Sequence, residues 1–457
     1  MNTLKLFLNL LLVKVRMEKA ICMYIYEDKH IINKRDIKSD EFTAWDAPIK
    51  YQIENGLTGN VIKQAIGEIE KNTCLKFEED DLSKNDTQGI VFKLATYCAS
   101  YVGRYYDKNT QAILLTVDCG KSIGAVLHEL GHALGLAHEQ SRTDRDKYVT
   151  VTESDIQSNE KINFQVQTHQ IYKNFSVYYD YGSIMHYGPN DFATGRTAVL
   201  KSNLHSEFDR MMGQRSNMTF NDYKQLNLAH CDKCNITKKN KGKGKKKKEK
   251  QIIQNDQNSQ NNQNSQNDQN SQNDQNSGNN QNSGNNQNSE NNQNSQSSQN
   301  KQKTKKKSKN PCLNGGYPHY DDCSKCICSS GYTGSKCENI VTSDSSCGNT
   351  TFKVTDELKF LGWVGEQKCN IFVLADEGKK INIGVYYANA RSRTICTEDV
   401  SHQIKYLADK GTTGLLLCSW RRDVINVTSE LNSVLVIYNG QDSNHFIQLG
   451  FKQVDGV

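Results

Sequence analysis

Three histidines at 128, 132 and 138, in the stretch HELGHALGLAH, limit what this chain can be more than any other feature of its sequence. His128 and His132 are four residues apart, so a helix over Ile123 to Leu136 places them on one face, one turn above the other. Ile123, Val126, Leu127, Leu130 and Leu134 recur at helical spacing around the other side, which lets that side bury while both imidazoles face one metal ion. Gly135 accepts the left-handed turn that ends a helix, and the chain can then double back to bring His138 to the same ion. A zinc ion held by three neutral imidazoles keeps a fourth position for water, whose pKa falls towards ~7. Glu129 lies between the two helical histidines, too close to be a third helical ligand, and its expected role is general base.

The stretch continues as EQSRTDRD to Asp146 and is followed by YDYGSIMHY from Tyr179 to Tyr187. Together these resemble the astacin family of metzincin zinc proteases, over roughly Phe42 to Cys231, in the nematode-type arrangement with EGF-like and CUB modules. The resemblance implies one Zn2+ per chain, held by His128, His132 and His138, with Tyr187 as an extra ligand that swings away to stabilise the oxyanion. It puts Met185 in a turn beneath the metal; the plain alternative for Met185 and Tyr187 is core packing. Glu139 is similar to the family glutamate that receives the mature N-terminus in a buried ion pair, against the alternative of an ordinary surface carboxylate. Family comparison also pairs Cys74 with Cys231 and Cys98 with Cys119, and Gly213 to Arg215 (GQR) matches near the far side of the cleft.

A chain of 457 residues has room for two or three domains, but only 35% of it is hydrophobic, so part of it lacks a core. Fifteen cysteines, many closely paired, lie among N-x-S/T sequons at Asn85, Asn174, Asn217, Asn235, Asn349 and Asn426, which indicates an oxidising, extracellular setting. The net charge of +6 is concentrated: residues 235–311 carry 15 lysines against five acids, a net of +10, which leaves 6 − 10 = −4 for the remainder. Basic character therefore belongs to a linker, and no nucleic-acid-binding domain is expected.

Leu4 to Val13 resembles the apolar core of a secretory signal within residues 1–16, although Lys14 and Arg16 follow with no A-x-A-like cleavage site. No other stretch is apolar for the ~20 residues of a membrane span. Residues 17–35 read as a short pro-segment ending in NKR, and cleavage there makes Asp36 the new N-terminus. The family's inhibitory FxGD motif is absent; Asp28 and Cys22 are candidate substitutes. Strands are expected at Ile49 to Ile53, Ile90 to Leu94, Tyr101 to Tyr105 and Ile113 to Val117, with an amphipathic helix over Val61, Ile62, Ala65, Ile66 and Ile69 ending near Cys74. This order, followed by the histidine helix and a loop-rich half, describes an α+β, two-lobed peptidase domain over 36–234.

Residues 235–311, rich in Lys, Asn and Gln, have almost nothing to bury and read as a disordered linker. Cys312 to Cys337 resembles an EGF-like module (312–346) with five cysteines where six are expected. The proposed pairing takes Cys234 as the missing first cysteine, bonded to Cys323, with Cys312 to Cys326 and Cys328 to Cys337. Residues 347–457 alternate at Ile381 to Tyr386 and Ser433 to Tyr438 and pair Cys347 with Cys369 and Cys396 with Cys418, which resembles an all-β CUB sandwich. The leading expectation is a secreted zinc metalloendopeptidase acting on extracellular proteins, with matrix proteins or polyanionic glycans as partners of the CUB-like domain and the lysine-rich linker. The alternative is a secreted, non-catalytic binding protein on a protease scaffold.

Overall fold

The computed structural model describes residues 45–83, 87–106, 108–167, 175–231, 234 and 311–456. The apolar segment Leu4 to Val13, the pro-segment with Cys22, Asp28 and Arg35, Asp36, the sequons at Asn85, Asn174 and Asn235, and the Lys/Asn/Gln tract lie outside the described residues.

Five strands, Ile49–Ile53 (β1), Phe77–Glu79 (β2), Gly89–Leu94 (β3), Ala99–Ser100 (β4) and Thr110–Leu115 (β5), form one sheet in the order β2-β1-β3-β5-β4. All pairs are parallel except β4 on β5. The helix Gly59–Asn72 (α1) is the crossover that a parallel β1 and β2 require. Its buried residues Ile62, Ala65, Ile66 and Ile69 follow the i, i+3, i+4, i+7 rule of a one-sided helix. They share a core with Ile90, Phe92, Ile113 and Leu115 of the sheet and with Val126, Leu127 and Leu130 of the helix Ile123–Ala133 (α2), which carries the first two histidines.

Three expectations need correction. Tyr101 to Tyr105 is not a strand: β4 stops at Ser100, and the rings of Tyr101 and Tyr105 stack with centroids 4.6 Å apart. Aromatic composition favours a strand only where a partner ladder exists, and here Gly103, at φ +75, gives its N–H to the carbonyl of His132 at 2.7 Å instead. β5 spans Thr110–Leu115 rather than Ile113 to Val117. α2 ends at Ala133, short of Leu136, because Gly135 takes φ +104.

The second lobe is loop-rich, with one small pair of strands, Val149–Val151 (β6) and Leu200–Ser202 (β7), and the helix Phe220–His230 (α3). Thr219 and Asp222 form a capping box at the start of α3. Cys231, just past its end, is bonded to Cys74, and Cys98 to Cys119. The first bridge closes a sequence separation of 157 residues. In the chain-entropy model a closure of that length is worth about 5 kcal/mol.

The C-terminal region is disulfide-rich and built of β-sheet. Two short hairpins, Tyr317–Pro318 (β8) with Cys326–Ile327 (β9) and Tyr332–Thr333 (β10) with Asn339–Ile340 (β11), are held by Cys312–Cys326 and Cys328–Cys337, while Cys323 is bonded to Cys234. Nine strands follow: Thr351–Lys353 (β12), Lys359–Val364 (β13), Gln367–Leu374 (β14), Lys379–Asn389 (β15), His402–Lys405 (β16), Leu415–Leu417 (β17), Ile425–Thr428 (β18), Ser433–Gly440 (β19) and Phe446–Asp455 (β20). They make two sheets, β12-β14-β19-β16-β17 and β13-β20-β15-β18, with the bridges Cys347–Cys369 and Cys396–Cys418. Residues inside the sandwich, such as Ile404, Leu415 and Leu417, belong to the same buried cluster as Tyr179, Tyr181 and Phe208 of the second lobe. The sandwich is thereby packed against the lobe that follows the histidines.

Candidate metal centre

Ser122 caps α2, its hydroxyl accepting the N–H of Ala125 at 3.2 Å. At the other end the N–H of Leu136 reaches the carbonyl of Gly131 and that of Gly135 reaches His132, both at 2.8 Å. These are the two bonds of a Schellman turn, and the left-handed Gly135 makes it possible. The chain leaving this turn brings His138 back, so that His132 Nε2 and His138 Nε2 are 3.1 Å apart and His138 Nε2 and His128 Nε2 3.3 Å.

This spacing tests the fit of a metal. Zinc–nitrogen bonds of about 2.0–2.1 Å at a tetrahedral angle separate their nitrogens by ~3.3 Å. The two observed separations match, and among the described residues His128, His132 and His138 are the one group of three or more candidate ligands whose donor atoms converge. The remote nitrogens face carbonyls: His128 Nδ1 donates to Ile184 O and His132 Nδ1 to Leu136 O, both at 2.8 Å. Those bonds fix the tautomer that leaves Nε2 as a lone-pair donor. Burial, the largest cause in each case, pushes the pKa of His128 and His138 well below the ordinary range and that of His132 down to about 4. Arg215 adds to the lowering at all three, so the imidazoles are neutral and ready to ligate.

Glu129 follows the first ligand on α2 and is fully buried. Met185 lies under the helix: a Cβ at Gly131 would sit 2.9 Å from Met185 Sδ, so only glycine allows the sulfur so close. The Tyr187 ring packs beside His138 with centroids 4.2 Å apart, and its backbone N–H donates to Gln140 Oε1 at 3.0 Å. Glu139 is buried; its Oε1 accepts the N–H of Asp180 at 2.9 Å and Arg142 Nη1 at 3.3 Å. Arg142 in turn grips both oxygens of Asp144, at 2.9 and 3.1 Å. The ion pair expected between Glu139 and a mature N-terminus at Asp36 involves a residue outside the described ones.

The family model for astacin peptidases matches residues 37–231. Residues 37–231 belong to the astacin family. Among curated relatives, zinc metalloproteinase nas-36 of Caenorhabditis elegans is 27% identical over 441 residues, covering 93% of this chain and 58% of its own length. Zinc metalloproteinase dpy-31 of the same organism is 26% identical over 440 residues, covering 92% of this chain and 62% of its own. The chain thus spans about three-fifths of the length of these relatives. Among solved structures, high choriolytic enzyme 1, a hatching enzyme zinc-protease from the medaka fish Oryzias latipes, is similar at 28% identity and a TM-score of 0.37, over 41% of this chain and 93% of that one. The three-histidine group of the astacin domain fits the single zinc that the family uses.

Several residues that support the site in this astacin domain did not stand out in the sequence. Asp222 accepts Ser183 Oγ at 2.6 Å and the N–H of Ile184 at 3.0 Å, which fixes the turn whose carbonyl orients His128. The signal was present, since T-x-x-D at 219–222 is a capping-box pattern, but that pattern marks a helix start and says nothing of a second bond. Gln140 holds Tyr187 through a side chain to backbone bond, which leaves no periodicity to read, whereas Arg215, marked in the sequence by the GQR match, donates Nη1 to the carbonyl of His186 at 3.0 Å.

Proposed function

We propose that this chain is a secreted zinc metalloendopeptidase that hydrolyses peptide bonds of extracellular proteins. The observation that carries the reading is the convergence of three neutral Nε2 atoms beside a buried glutamate on the same helix. Bound zinc supplies Lewis acidity towards a water and a peptide carbonyl. His128, His132 and His138 hold the ion, and the carbonyls of Ile184 and Leu136 keep two of their rings in the ligating tautomer. Glu129 takes a proton from the attacking water and returns it to the leaving amine. The hydroxyl of Tyr187 is the donor to the charge that develops on the carbonyl oxygen. Gly103 ties the segment that follows β4 to His132.

The domain reading is a signal over 1–16, a pro-segment over 17–35, the astacin domain to 234, a linker over 235–311, an EGF-like module over 312–346 whose first cysteine is Cys234, and a CUB-like domain over 347–457. Seven disulfides among the described residues favour secretion. Exposure of the sequons Asn217, Asn349 and Asn426 favours glycosylation. Binding of polyanionic glycans by the CUB-like domain is supported by Arg422, whose guanidinium lies 5.6 Å from the ring centroid of the half-exposed Trp420, with Arg391 and Arg393 on the segment whose backbone is bonded to Ser419 beside it.

Casein or gelatin digestion by protein processed at Arg35, wild type against Glu129→Ala, tests the reading. Proteolysis by wild type alone is the expected result. Equal inertness of both, with zinc bound, would leave the non-catalytic binding reading.

A further inference from the structure

The turn that orients the zinc ligands is braced from outside the astacin domain. Asp180, 1% exposed, has its Oδ1 on the N–H of Gly182 at 3.0 Å, while its Oδ2 accepts the N–H of Thr413 at 3.2 Å and Thr413 Oγ1 at 3.0 Å. Thr413 lies 233 residues further along the chain, in the loop that joins β16 to β17 of the C-terminal sandwich. The contact is tight: a Cβ at Gly182 would lie 3.2 Å from Thr413 Cγ2 and Oγ1.

The loop has little freedom to leave. Lys405, buried in the sandwich, gives its ammonium to the carbonyls of Lys410 at 2.9 Å and Thr412 at 3.3 Å. Asp409 Oδ1 accepts the N–H of Gly411 at 2.8 Å, and its other oxygen is 3.8 Å from Lys224 Nζ on α3. Asn221, also on α3, donates to Thr412 Oγ1 at 3.3 Å. Asp180 is linked to the metal centre on two sides, each time through a chain neighbour of a ligand or of the group that orients it. Its own N–H donates to Glu139, the neighbour of His138, and its carbonyl accepts the N–H of Ser183, which precedes the Ile184 whose carbonyl holds His128.

We propose that the C-terminal sandwich completes the zinc site, with Thr413 a positioning residue that acts through Asp180 on the turn orienting His128 and on the backbone at Glu139. The assignment rests on the peptidase reading for its kinetic consequence, though not for its effect on the metal. Groups that orient metal ligands through hydrogen bonds change metal affinity by about 10–100-fold when removed. Thr413 stands two hydrogen bonds beyond the Ile184 carbonyl, through Asp180 and Ser183, so its effect lies at the lower end of that range.

The test uses the full chain. Thr413→Val keeps the shape and the backbone N–H but removes the hydroxyl; Thr413→Ser restores it. Zinc loss to a chelator is expected to quicken about tenfold in T413V and to return to within about twofold of wild type in T413S. In metal-free protein the amides of Ser183 to Met185 should exchange faster in T413V, and kcat should fall with KM unchanged. Thr413→Ala is expected to move in the same direction and serves if T413V does not fold. Thr355→Val, on the exposed surface of the sandwich between β12 and β13, is the control and should match wild type. Zinc loss and amide exchange in T413V and T413A equal to wild type, or a T355V effect as large as theirs, overturns the assignment. A wild type that binds zinc and cleaves nothing overturns the peptidase reading instead, since the chelator and exchange measurements still decide Thr413.

Discussion

His128 Nδ1 donates to the carbonyl oxygen of Ile184 at 2.8 Å, a bond that joins the zinc helix to a turn 56 residues later in the chain. The ligand set is therefore held by tertiary structure as well as by helical spacing, and ligand and non-ligand substitutions on α2 should separate cleanly. His132→Ala removes one of three donors and is expected to lose zinc and proteolysis together. Glu129→Gln keeps every donor, so zinc content by elemental analysis should match wild type while kcat falls about 10²–10⁴-fold, the usual contribution of a general base. Stoichiometric zinc in His132→Ala protein would contradict the ligand set.

Tyr187 packs against His138, yet its proposed work is in the transition state rather than in holding the ring. Tyr187→Phe keeps the ring and removes the hydroxyl. Its kcat should fall roughly 10²-fold, in the range of a lost oxyanion donor, with KM and zinc content little changed. A loss of zinc as large as that of a histidine variant would make Tyr187 chiefly a ligand.

Gly135 stands at φ +104, where an L side chain is strained, and the Schellman turn it permits sends the chain after α2 back so that His138 meets His128 and His132. Gly135→Ala should cost about 1–2 kcal/mol in stability. Because the strain relaxes by shifting His138, chelator-driven zinc loss should speed up along with the fall in melting temperature. A lower melting temperature with unaltered zinc loss would show that the turn and the ligand are independent.

How much of this was legible in the sequence differs by residue. His128, His132, Gly135 and His138 follow from local rules, helix period and glycine's backbone freedom, so their arrangement could be drawn before any coordinates. Tyr101 to Tyr105 misled because β-propensity in aromatic residues has meaning only beside a partner strand, and Gly103 bonds to His132 instead. Asp180, Asp222 and Thr413 were unreadable for a different reason. Each acts through a hydrogen bond to a residue distant in sequence, and a single chain carries no pattern that marks such a pair.

Asp180 also predicts a pH dependence. Its burial and the neighbouring carboxylate of Asp222 raise its pKa from 3.8 to about 7, against the lowering donors Thr413 and Gly182. Lys405 of the sandwich, its own pKa lowered by burial, and Glu139 are the other ionisable groups facing this position. The unfolded chain gives up the Asp180 proton near 3.8 and the folded protein near about 7, so between these values the folded state holds a proton the unfolded state has lost. Stability from this group is present below the lower value and is lost as pH rises to the upper one, a change on the order of a few kcal/mol. Melting temperatures of metal-free protein between pH 4 and 7 should show this loss in wild type and lack it in Asp180→Asn, with the histidine contribution common to both. Parallel curves for the two proteins would place the proton elsewhere.

Of the seven disulfides among the described residues, only Cys234–Cys323 joins a cysteine before the Lys/Asn/Gln tract to one after it; Cys74–Cys231 and Cys98–Cys119 lie wholly before it and the other four wholly after. The tract contains 15 lysines over residues 235–311, whereas the disulfide-bonded parts are folded and resist brief digestion. A short exposure to a lysine-specific protease should therefore cut the tract first and leave two pieces that run as one species on a denaturing gel without reductant. Adding reductant should separate an astacin-domain fragment from a C-terminal one, and peptide mapping of the unreduced species should recover Cys234 joined to Cys323. Two fragments that already separate without reductant, with the bond after Lys233 intact by mass, would mean that Cys234 is bonded elsewhere or free, and the C-terminal hairpins would then lack their covalent tie to the astacin domain.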